Sequence, residues 1–212
     1  SSPHKALWTC PTCHGDYPYR ICDREVDDDS CPYCRHEKIL AGFNSLADTD
    51  PDLAKEWSSD NPDLPSEYMK SSWYRALWTC PTCHGNYFYR ICDRELDDDS
   101  CPYCRNLKVL PGFNSLPDLA PELISEWSSE NPDLPSEYTR SSAHRALWTC
   151  PSCHGDYFYR ICNRELDDDS CPFCRGKKVL LGFNSLPDLA PELVNEWSSE
   201  NSDLPSEYTR SS

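Results

Sequence analysis

The apolar and polar positions of this chain repeat with a period of 70 residues, without insertion or deletion. Trp8-Thr9-Cys10-Pro11 returns at Trp78 and Trp148, and the apolar-rich segment that begins at Gly42 returns at Gly112 and Gly182. Self-similarity at one fixed period is the signature of a tandem array of structural units. We therefore predict three domains, with the boundaries 1–72, 73–142 and 143–212.

Each repeat divides into a cysteine-containing half and a cysteine-free half. We name them the finger (about residues 6–38 in the first repeat) and the connector (about residues 39–72). The second connector has the apolar spacing of a short helix, since Leu119, Leu123 and Trp127 fall on one face. Pro121 suits the first turn of that helix, and the proline-rich segment 131–138 predicts an extended arm toward the next finger.

One cysteine in each finger stands in the sequence Arg-Ile-Cys, where it alternates with Ile21 and Tyr19 as on a strand. A cysteine on such a strand is expected to be a small buried hydrophobe. This prediction concerns Cys22, Cys92 and Cys162. The acidic triplet Asp27-Asp28-Asp29, which also recurs, is interpreted as a solvated loop because it lacks the glycine and terminal glutamate of a calcium loop.

The chain of 212 residues carries a formal net charge of −16, which argues against non-specific binding to nucleic acid. The charge lies mainly in the connectors. In the second repeat, residues 75–108 hold five basic and five acidic residues, whereas residues 109–140 hold six acidic residues and one basic residue. The arginines of the nearly neutral fingers therefore remain candidates for a local anionic partner. No apolar run approaches the roughly 20 residues that span a bilayer, so we expect no membrane span.

The 15 cysteines indicate metal binding rather than disulfides, because five per repeat is an odd number and four of the five form two C-x-x-C pairs. The pairs are 17 residues apart, and proline after the first cysteine stiffens each turn. Zn²⁺ prefers four such thiolates in a structural site. We predict three Zn²⁺ ions, one per repeat, and an intracellular reducing compartment. The predicted ligands are Cys10, Cys13, Cys31 and Cys34; Cys80, Cys83, Cys101 and Cys104; and Cys150, Cys153, Cys171 and Cys174.

A histidine directly follows the second cysteine of each finger and is an alternative ligand in place of that cysteine. These alternatives are His14, His84 and His154. Four thiolates fill the coordination shell of zinc and leave no position for an activated water, so the sequence predicts neither an enzyme nor a small-molecule substrate. Because a finger is too small to fold on its own apolar core, we predict that the fingers unfold without zinc.

These residues resemble the zinc-ribbon or treble-clef zinc-finger repeat family over essentially the whole chain. The matching residues in the second repeat are Trp78, Cys80, Cys83, Tyr87, Arg94, Cys101, Cys104, Gly112, Phe113, Asn114, Glu122, Leu123, Glu126 and Trp127. The resemblance implies a small metal-stabilised α+β fold of three treble-clef-like modules: a knuckle with the first cysteine pair, a β-hairpin, and a short helix opened by the second pair. Many members have Gly-His where this chain has Cys-His-Gly, so the second ligand departs from the family pattern.

Three functions compete. The first is a non-catalytic scaffold that contacts protein partners of a larger assembly through finger aromatics, namely Tyr17, Tyr19, Tyr33, Tyr87, Phe88, Tyr89, Tyr103, Tyr157, Phe158, Tyr159 and Phe173. The second is a modular nucleic-acid reader, with the finger arginines on phosphates or base edges. Those arginines are Arg20, Arg24 and Arg35; Arg90, Arg94 and Arg105; and Arg160, Arg164 and Arg175. The third is thiol redox chemistry or metal handling at Cys22, Cys92 and Cys162.

Overall fold

A computed structural model describes residues 4–25, 29–95, 99–164 and 170–210. The chain forms two compact units, Ser1–Arg105 and Asn106–Ser212. Most residues of the three acidic triplets lie outside the described residues, so the interpretation of these triplets as solvated loops stays a prediction. In the described part of the chain, no helix is long and apolar enough to cross a membrane.

Each finger begins with a two-stranded antiparallel hairpin. The strands are β1 (Lys5–Thr9) and β2 (Asp16–Arg20), β3 (Arg75–Thr79) and β4 (Asn86–Arg90), and β5 (Arg145–Thr149) and β6 (Asp156–Arg160). In the second hairpin Trp78 pairs with Tyr87 and both are buried, whereas Leu77 pairs with Phe88 on the opposite face. The alternation of side chains across a strand thus places the tryptophan and the tyrosine together on the buried face of the hairpin.

Each hairpin is followed by a short 3₁₀ turn, at Ile21–Asp23, Ile91–Asp93 and Ile161–Asn163. The fifth cysteine of each finger lies in this turn, so the prediction that it occupies a strand is wrong. The prediction that it is buried is also wrong, since Cys22 and Cys162 are exposed and Cys92 is half-buried. The adjacent isoleucine carries the apolar contact instead, because Ile91 and Ile161 are fully buried.

The connectors contain pairs of short helical segments. These are α1 (Leu46–Thr49) and α2 (Pro51–Ala54); α3 (Leu116–Leu119) and the 3₁₀ helix Pro121–Glu126; and α4 (Leu186–Leu189) and α5 (Pro191–Val194). A 3₁₀ turn follows in each connector, at Pro65–Glu67, Pro135–Glu137 and Pro205–Glu207.

The helix predicted from Leu119, Leu123 and Trp127 is therefore two segments rather than one. Ala120, with φ −147° and ψ 62°, interrupts it because the following Pro121 disfavours helical backbone in the residue before it. As a result Leu119 is exposed, and Leu116 takes the buried position beside Leu123. Trp127 is half-buried and packs against the same core cluster.

Connectors pack on the finger that follows them. In the first unit, the backbone N–H of Ser58 donates to Leu77 at 3.0 Å, and that of Thr79 donates to Glu56 at 2.7 Å. The Asn61 side chain both donates to the Leu77 carbonyl (2.7 Å) and accepts from its N–H (2.8 Å). These contacts run across the predicted boundary at residues 72 and 73, so the first connector and the second finger share one packed core.

The second unit repeats this arrangement between the second connector and the third finger. The backbone N–H of Ser128 donates to the Leu147 carbonyl at 3.1 Å. The Asn131 side chain donates to the Leu147 carbonyl (2.8 Å) and accepts from its N–H (2.8 Å), as Asn61 does with Leu77. Trp127 meets Trp148 edge to face at 5.4 Å, and Tyr138 stacks on His144 at 4.5 Å. Leu123 and Trp148 are both fully buried in the resulting core.

Candidate metal centres

The first cysteine pair of each finger is presented by a tight knuckle after the first strand. In the first finger, Cys10 N–H donates to the Gly15 carbonyl (3.0 Å) and His14 N–H donates to the Cys10 carbonyl (2.9 Å). His14 has a φ of 57°, a left-handed conformation that lets the chain reverse directly after Cys13. The same hydrogen bonds and the same φ recur in the other two knuckles, so the turn follows from the repeated sequence.

Glycine follows the histidine because the second half of the site approaches the backbone closely there. A Cβ atom at Gly15 would lie 2.7 Å from Leu40 and 2.8 Å from the Tyr33 ring. At Gly155 the same atom would lie 2.8 Å from Leu180 and from the Phe173 ring. The close contact brings the aromatic ring between the second pair of cysteines against the first pair.

The second cysteine pair lies in a single turn, in which Arg35 N–H donates to the Cys31 carbonyl at 3.1 Å. An asparagine of the connector fixes the end of this turn. Asn44 donates to the carbonyls of Tyr33 (2.8 Å) and Lys38 (2.9 Å) and accepts from Leu40 N–H (2.8 Å). Asn184 makes the equivalent three bonds in the third repeat. Sequence reasoning did not assign this role to the asparagine.

A buried hydrogen bond joins the hairpin to the second cysteine pair. The Tyr17 hydroxyl lies 2.7 Å from Ser30 Oγ, directly before Cys31. Tyr87 and Ser100 lie 2.8 Å apart in the second finger, and Tyr157 and Ser170 lie 2.7 Å apart in the third. The tyrosine at this position is a structural part of the site and is buried, so it is not one of the exposed aromatic contacts that the scaffold hypothesis expected.

The structure brings the four predicted cysteines of each finger into one cluster, with all sulfurs within 4.8 Å of one another. The pairs Cys10–Cys34 and Cys13–Cys31 are each separated by 3.6 Å, and the matching pairs of the other fingers by 3.5–3.6 Å. A tetrahedral zinc with Zn–S bonds of about 2.3 Å requires sulfurs about 3.8 Å apart. The three Cys₄ groups therefore fit three zinc ions, and all 15 cysteines are free of disulfides.

The cysteines of one cluster differ in how readily they lose a proton. Backbone N–H groups of Cys13 and Thr12 donate to the Cys10 sulfur and lower its pKa to about 6, despite the opposing effect of burial. In Cys80 and Cys150 burial is the largest influence, but the amides of the knuckle still hold the pKa at about 7. Burial raises the pKa of Cys83 and Cys153 to about 11. Zinc binding must therefore displace protons from the cluster.

The histidines that follow the knuckles are exposed. The groups of metal-ligating side chains found among the described residues consist of cysteines, and His14, His84 and His154 are not among them. In this structure the histidine contributes its backbone conformation to the knuckle, while the preceding cysteine contributes the sulfur.

Two of the nine candidate partner-binding arginines are buried at the junction between connector and finger. Arg94 forms an ion pair with Glu56, and Arg164 forms one with Glu126. The arginine side chains are 4% exposed, and each lies over the junction tryptophan, with Arg164 5.8 Å from the centre of the Trp148 ring. Arg94 and Arg164 thus stabilise the packing of the chain rather than facing a ligand. The pairing was missed because the two residues are 38 positions apart and belong to different repeats.

The equivalent residue of the first finger, Arg24, lies over Trp8 at 5.5 Å and donates to the Glu25 carbonyl. The other six candidate arginines are exposed, namely Arg20, Arg35, Arg90, Arg105, Arg160 and Arg175. Several of them have acidic neighbours: Arg20 lies 3.7 Å from Asp23, Arg90 lies 3.8 Å from Asp93, and Arg35 lies 2.8 Å from Glu37. Such exposed pairs contribute little stability but reduce the positive charge available to a phosphate.

The fifth cysteines lie outside the metal clusters. Cys22 Sγ donates to the Asp23 carboxylate at 3.3 Å, and this bond raises the pKa of Cys22 above its ordinary value. Burial and the equivalent Asp93 contact raise the pKa of Cys92. A reactive thiol needs a lowered pKa, so these surroundings disfavour the thiol-chemistry hypothesis.

A family model, described as the probable treble-clef zinc-finger domain, matches residues 1–37, 53–107 and 123–177, together more than half of the chain. The chain belongs to this treble-clef zinc-finger family. No curated protein matches it. The treble-clef matches at 53–107 and 123–177 each begin in a connector and end just after the following finger. They therefore cover the same connector–finger pairs that pack together in the structure.

Proposed function

We propose that this protein is a non-catalytic interaction array, in which zinc-stabilised fingers hold apolar side chains out toward a protein partner. The observation that carries the proposal is which side chains of the fingers are buried and which are exposed. Arg94 and Arg164, which a nucleic-acid reader would direct at phosphates, are buried in ion pairs. Phe88 and Phe158, at the centre of the second hairpin strand, are 61% and 60% exposed.

Each connector adds a second exposed apolar position with acidic neighbours. Leu64, Leu134 and Leu204 are about equally exposed, and each lies between an aspartate and a glutamate of the segment Asp-Leu-Pro-Ser-Glu-Tyr. Apolar side chains within an acidic surface complement a partner that has apolar pockets rimmed by lysine or arginine. Their recurrence, once per repeat, favours a partner that is itself repetitive or that binds several fingers at once.

Closed Cys₄ coordination supports the non-catalytic part of the proposal, because a four-coordinate structural zinc offers no position for substrate or water. Free thiols and zinc thiolates also persist best in a reducing compartment, which we propose as the location of the protein.

Two matched double variants distinguish this proposal from nucleic-acid binding. Phe88→Asp with Phe158→Asp removes the exposed aromatics, whereas Arg90→Gln with Arg160→Gln removes exposed cations from the same strands. Partners recovered by affinity capture with the zinc-loaded protein should be lost with the phenylalanine variant and retained with the arginine variant. Binding to a mixed DNA and RNA pool should be absent at both low and physiological salt.

The opposite pattern would overturn the proposal. Salt-sensitive binding to the nucleic-acid pool that is lost in the arginine variant would identify the fingers as phosphate-binding modules. Circular dichroism and zinc content should be unchanged in both variants, since all four side chains are exposed.

A further inference from the structure

The two internal junctions bury the same set of side chains. On the finger side this set, which we name the hairpin face, consists in the second finger of Ala76, Trp78, Ile91 and Arg94, all of which are buried. On the connector side, the connector face of the second connector consists of Leu123, Glu126, Trp127, Ser128 and Tyr138. Leu123, Glu126 and Ser128 are at most 5% exposed, and the two aromatic rings are half-buried.

The hairpin face of the first finger has the same residues, but it is open. Ile21 is 56% exposed, where Ile91 and Ile161 are fully buried. Trp8 and Ala6 are half-buried, where their equivalents in the other fingers are fully buried. Arg24 nevertheless keeps the position over Trp8 that Arg94 and Arg164 hold over their tryptophans. The face is therefore already arranged as it is at the internal junctions.

The connector face of the third connector is open in the same way. Leu193 is 41% exposed, where Leu53 and Leu123 are fully buried, and Glu196 is exposed, where Glu126 is 5% exposed. Leu193, Trp197, Asn201 and Tyr208 line a groove on this connector. At the internal junctions, the tryptophan and the asparagine at these positions contact the hairpin of the following finger.

We propose that the third connector of one chain binds the first finger of a second copy of this chain, head to tail. In this contact Glu196 pairs with Arg24 and Trp197 packs against Trp8, as Glu126 pairs with Arg164 and Trp127 packs against Trp148. Tyr208 stacks on His4, as Tyr138 stacks on His144 at 4.5 Å. The association does not depend on the function proposed above.

Residue identity supports this occupant over an unrelated protein. The first finger keeps Ala6, Leu7, Trp8, Ile21 and Arg24 in register with the third finger, and its His4 corresponds to His144. Each face is thus complementary to the other and is not complementary to itself. A contact between unlike faces is heterologous, so it produces open chains or closed rings of copies rather than a symmetric dimer.

Sedimentation velocity of the zinc-loaded 212-residue chain tests the proposal. The protein should be studied at physiological salt, where the Debye length of about 8 Å limits repulsion between the acidic chains. The average mass should rise above 24.4 kDa as the protein concentration is raised to about 1 mM. This limit is chosen because the internal junctions form at a similar effective concentration, which the short covalent connection between their two faces provides. A mass that stays at 24.4 kDa throughout would overturn the proposal.

Two charge reversals test whether the contact joins the third connector of one chain to the first finger of another. Glu196→Arg blocks the connector face and leaves the first finger intact, whereas Arg24→Glu blocks the first finger and leaves the connector face intact. Each variant alone should remain monomeric, because like charges meet at its contact, whereas an equimolar mixture should associate again, because every contact between the two variants brings opposite charges together. Ile21→Asp replaces Arg24→Glu if the latter loses zinc, since Ile21 is exposed in the single chain.

Glu200→Arg is the matched control, because Glu200 is an exposed glutamate on the same connector outside the connector face. It should associate like the unmodified chain. If Glu196→Arg associates as strongly as the control, or if the mixture of blocked variants stays monomeric, the head-to-tail contact is wrong.

Discussion

The second and third connectors show how nearly the same sequence acquires different surroundings. Between 116–140 and 186–210 they differ at three positions, Ile124/Val194, Ser125/Asn195 and Pro132/Ser202. Leu123 is nevertheless fully buried and Leu193 is 41% exposed, because the third finger packs on the second connector, whereas no finger of the described chain packs on the third connector. Burial of a connector therefore comes from the neighbouring module, whereas its backbone turns come from its own residues. The two connectors form a matched pair in which these contributions can be measured separately.

The largest effect should come from removing the metal that holds the covering finger together. Cys171→Ser removes one ligand of the third cluster, and we expect the third finger to lose its zinc and unfold, since structural zinc contributes about 10–16 kcal/mol to small fingers. Native mass spectrometry should then find two zinc ions instead of three. Hydrogen exchange of the second connector (116–138) should rise to the rate of the third connector (186–208), because the third finger no longer packs on it.

Cys162→Ser is the control for this experiment, since Cys162 is an exposed cysteine of the same finger outside the cluster. It should keep three zinc ions. Unchanged exchange of the second connector after loss of the third zinc would show that the connector is stable without its finger.

Breaking the buried ion pair should have the next largest effect. Glu126→Ala leaves the Arg164 guanidinium buried without its carboxylate, which costs about 3–5 kcal/mol of the free energy of unfolding for a pair of this kind. Glu196→Ala changes the equivalent exposed residue and should stay within about 0.5 kcal/mol. Local opening free energies from hydrogen exchange compare the two variants, and equal losses would contradict a stabilising role for the pair.

Truncating an apolar side chain of the connector face should give a smaller difference in stability between the second and third connectors. Leu123→Ala removes a fully buried side chain, and we expect a loss of about 3 kcal/mol from lost transfer energy and the remaining cavity. Leu193→Ala removes a partly exposed side chain, so its loss should stay below about 1.5 kcal/mol. If both variants lose the same free energy of unfolding in the monomeric chain, the third finger does not stabilise the second connector.

The sequence was sufficient for the parts of the fold that are local. The clusters could be predicted because C-x-x-C fixes two sulfurs within one turn, and the knuckle needs only the residues from Cys10 to Gly15. The junctions could not, since the Glu126–Arg164 pair joins residues 38 positions apart, and nothing in the composition distinguishes Arg164 from the exposed Arg160. The prediction of one continuous helix is wrong because Pro121 disfavours helical backbone at Ala120, an effect that the apolar spacing of Leu119, Leu123 and Trp127 does not contain.

The smallest effect should be the same in both connectors, because it comes from local backbone contacts. Ser115 is the N-cap of α3 and Ser185 is the N-cap of α4, and in each the aspartate three residues later accepts the serine N–H at 3.0 Å. Ser115→Ala and Ser185→Ala should each cost about 1 kcal/mol, the typical value for a lost N-cap. A clear difference between the two losses would mean that the covering finger also stabilises the cap.

The pH dependence of these two variants isolates the cap further. Hydrogen bonds from the serine side chains, together with backbone N–H groups, hold the pKa of Asp118 and Asp188 below the ordinary value. A depressed pKa means that the carboxylate stabilises the folded state above about pH 4 and that this stabilisation is lost as the pH falls through the lower folded value. The difference between each serine variant and the unmodified chain should therefore shrink in acid, equally in both connectors, when hydrogen exchange is followed across that range. A difference that persists unchanged in acid would assign the cost to the serine hydroxyl alone rather than to the serine–aspartate pair.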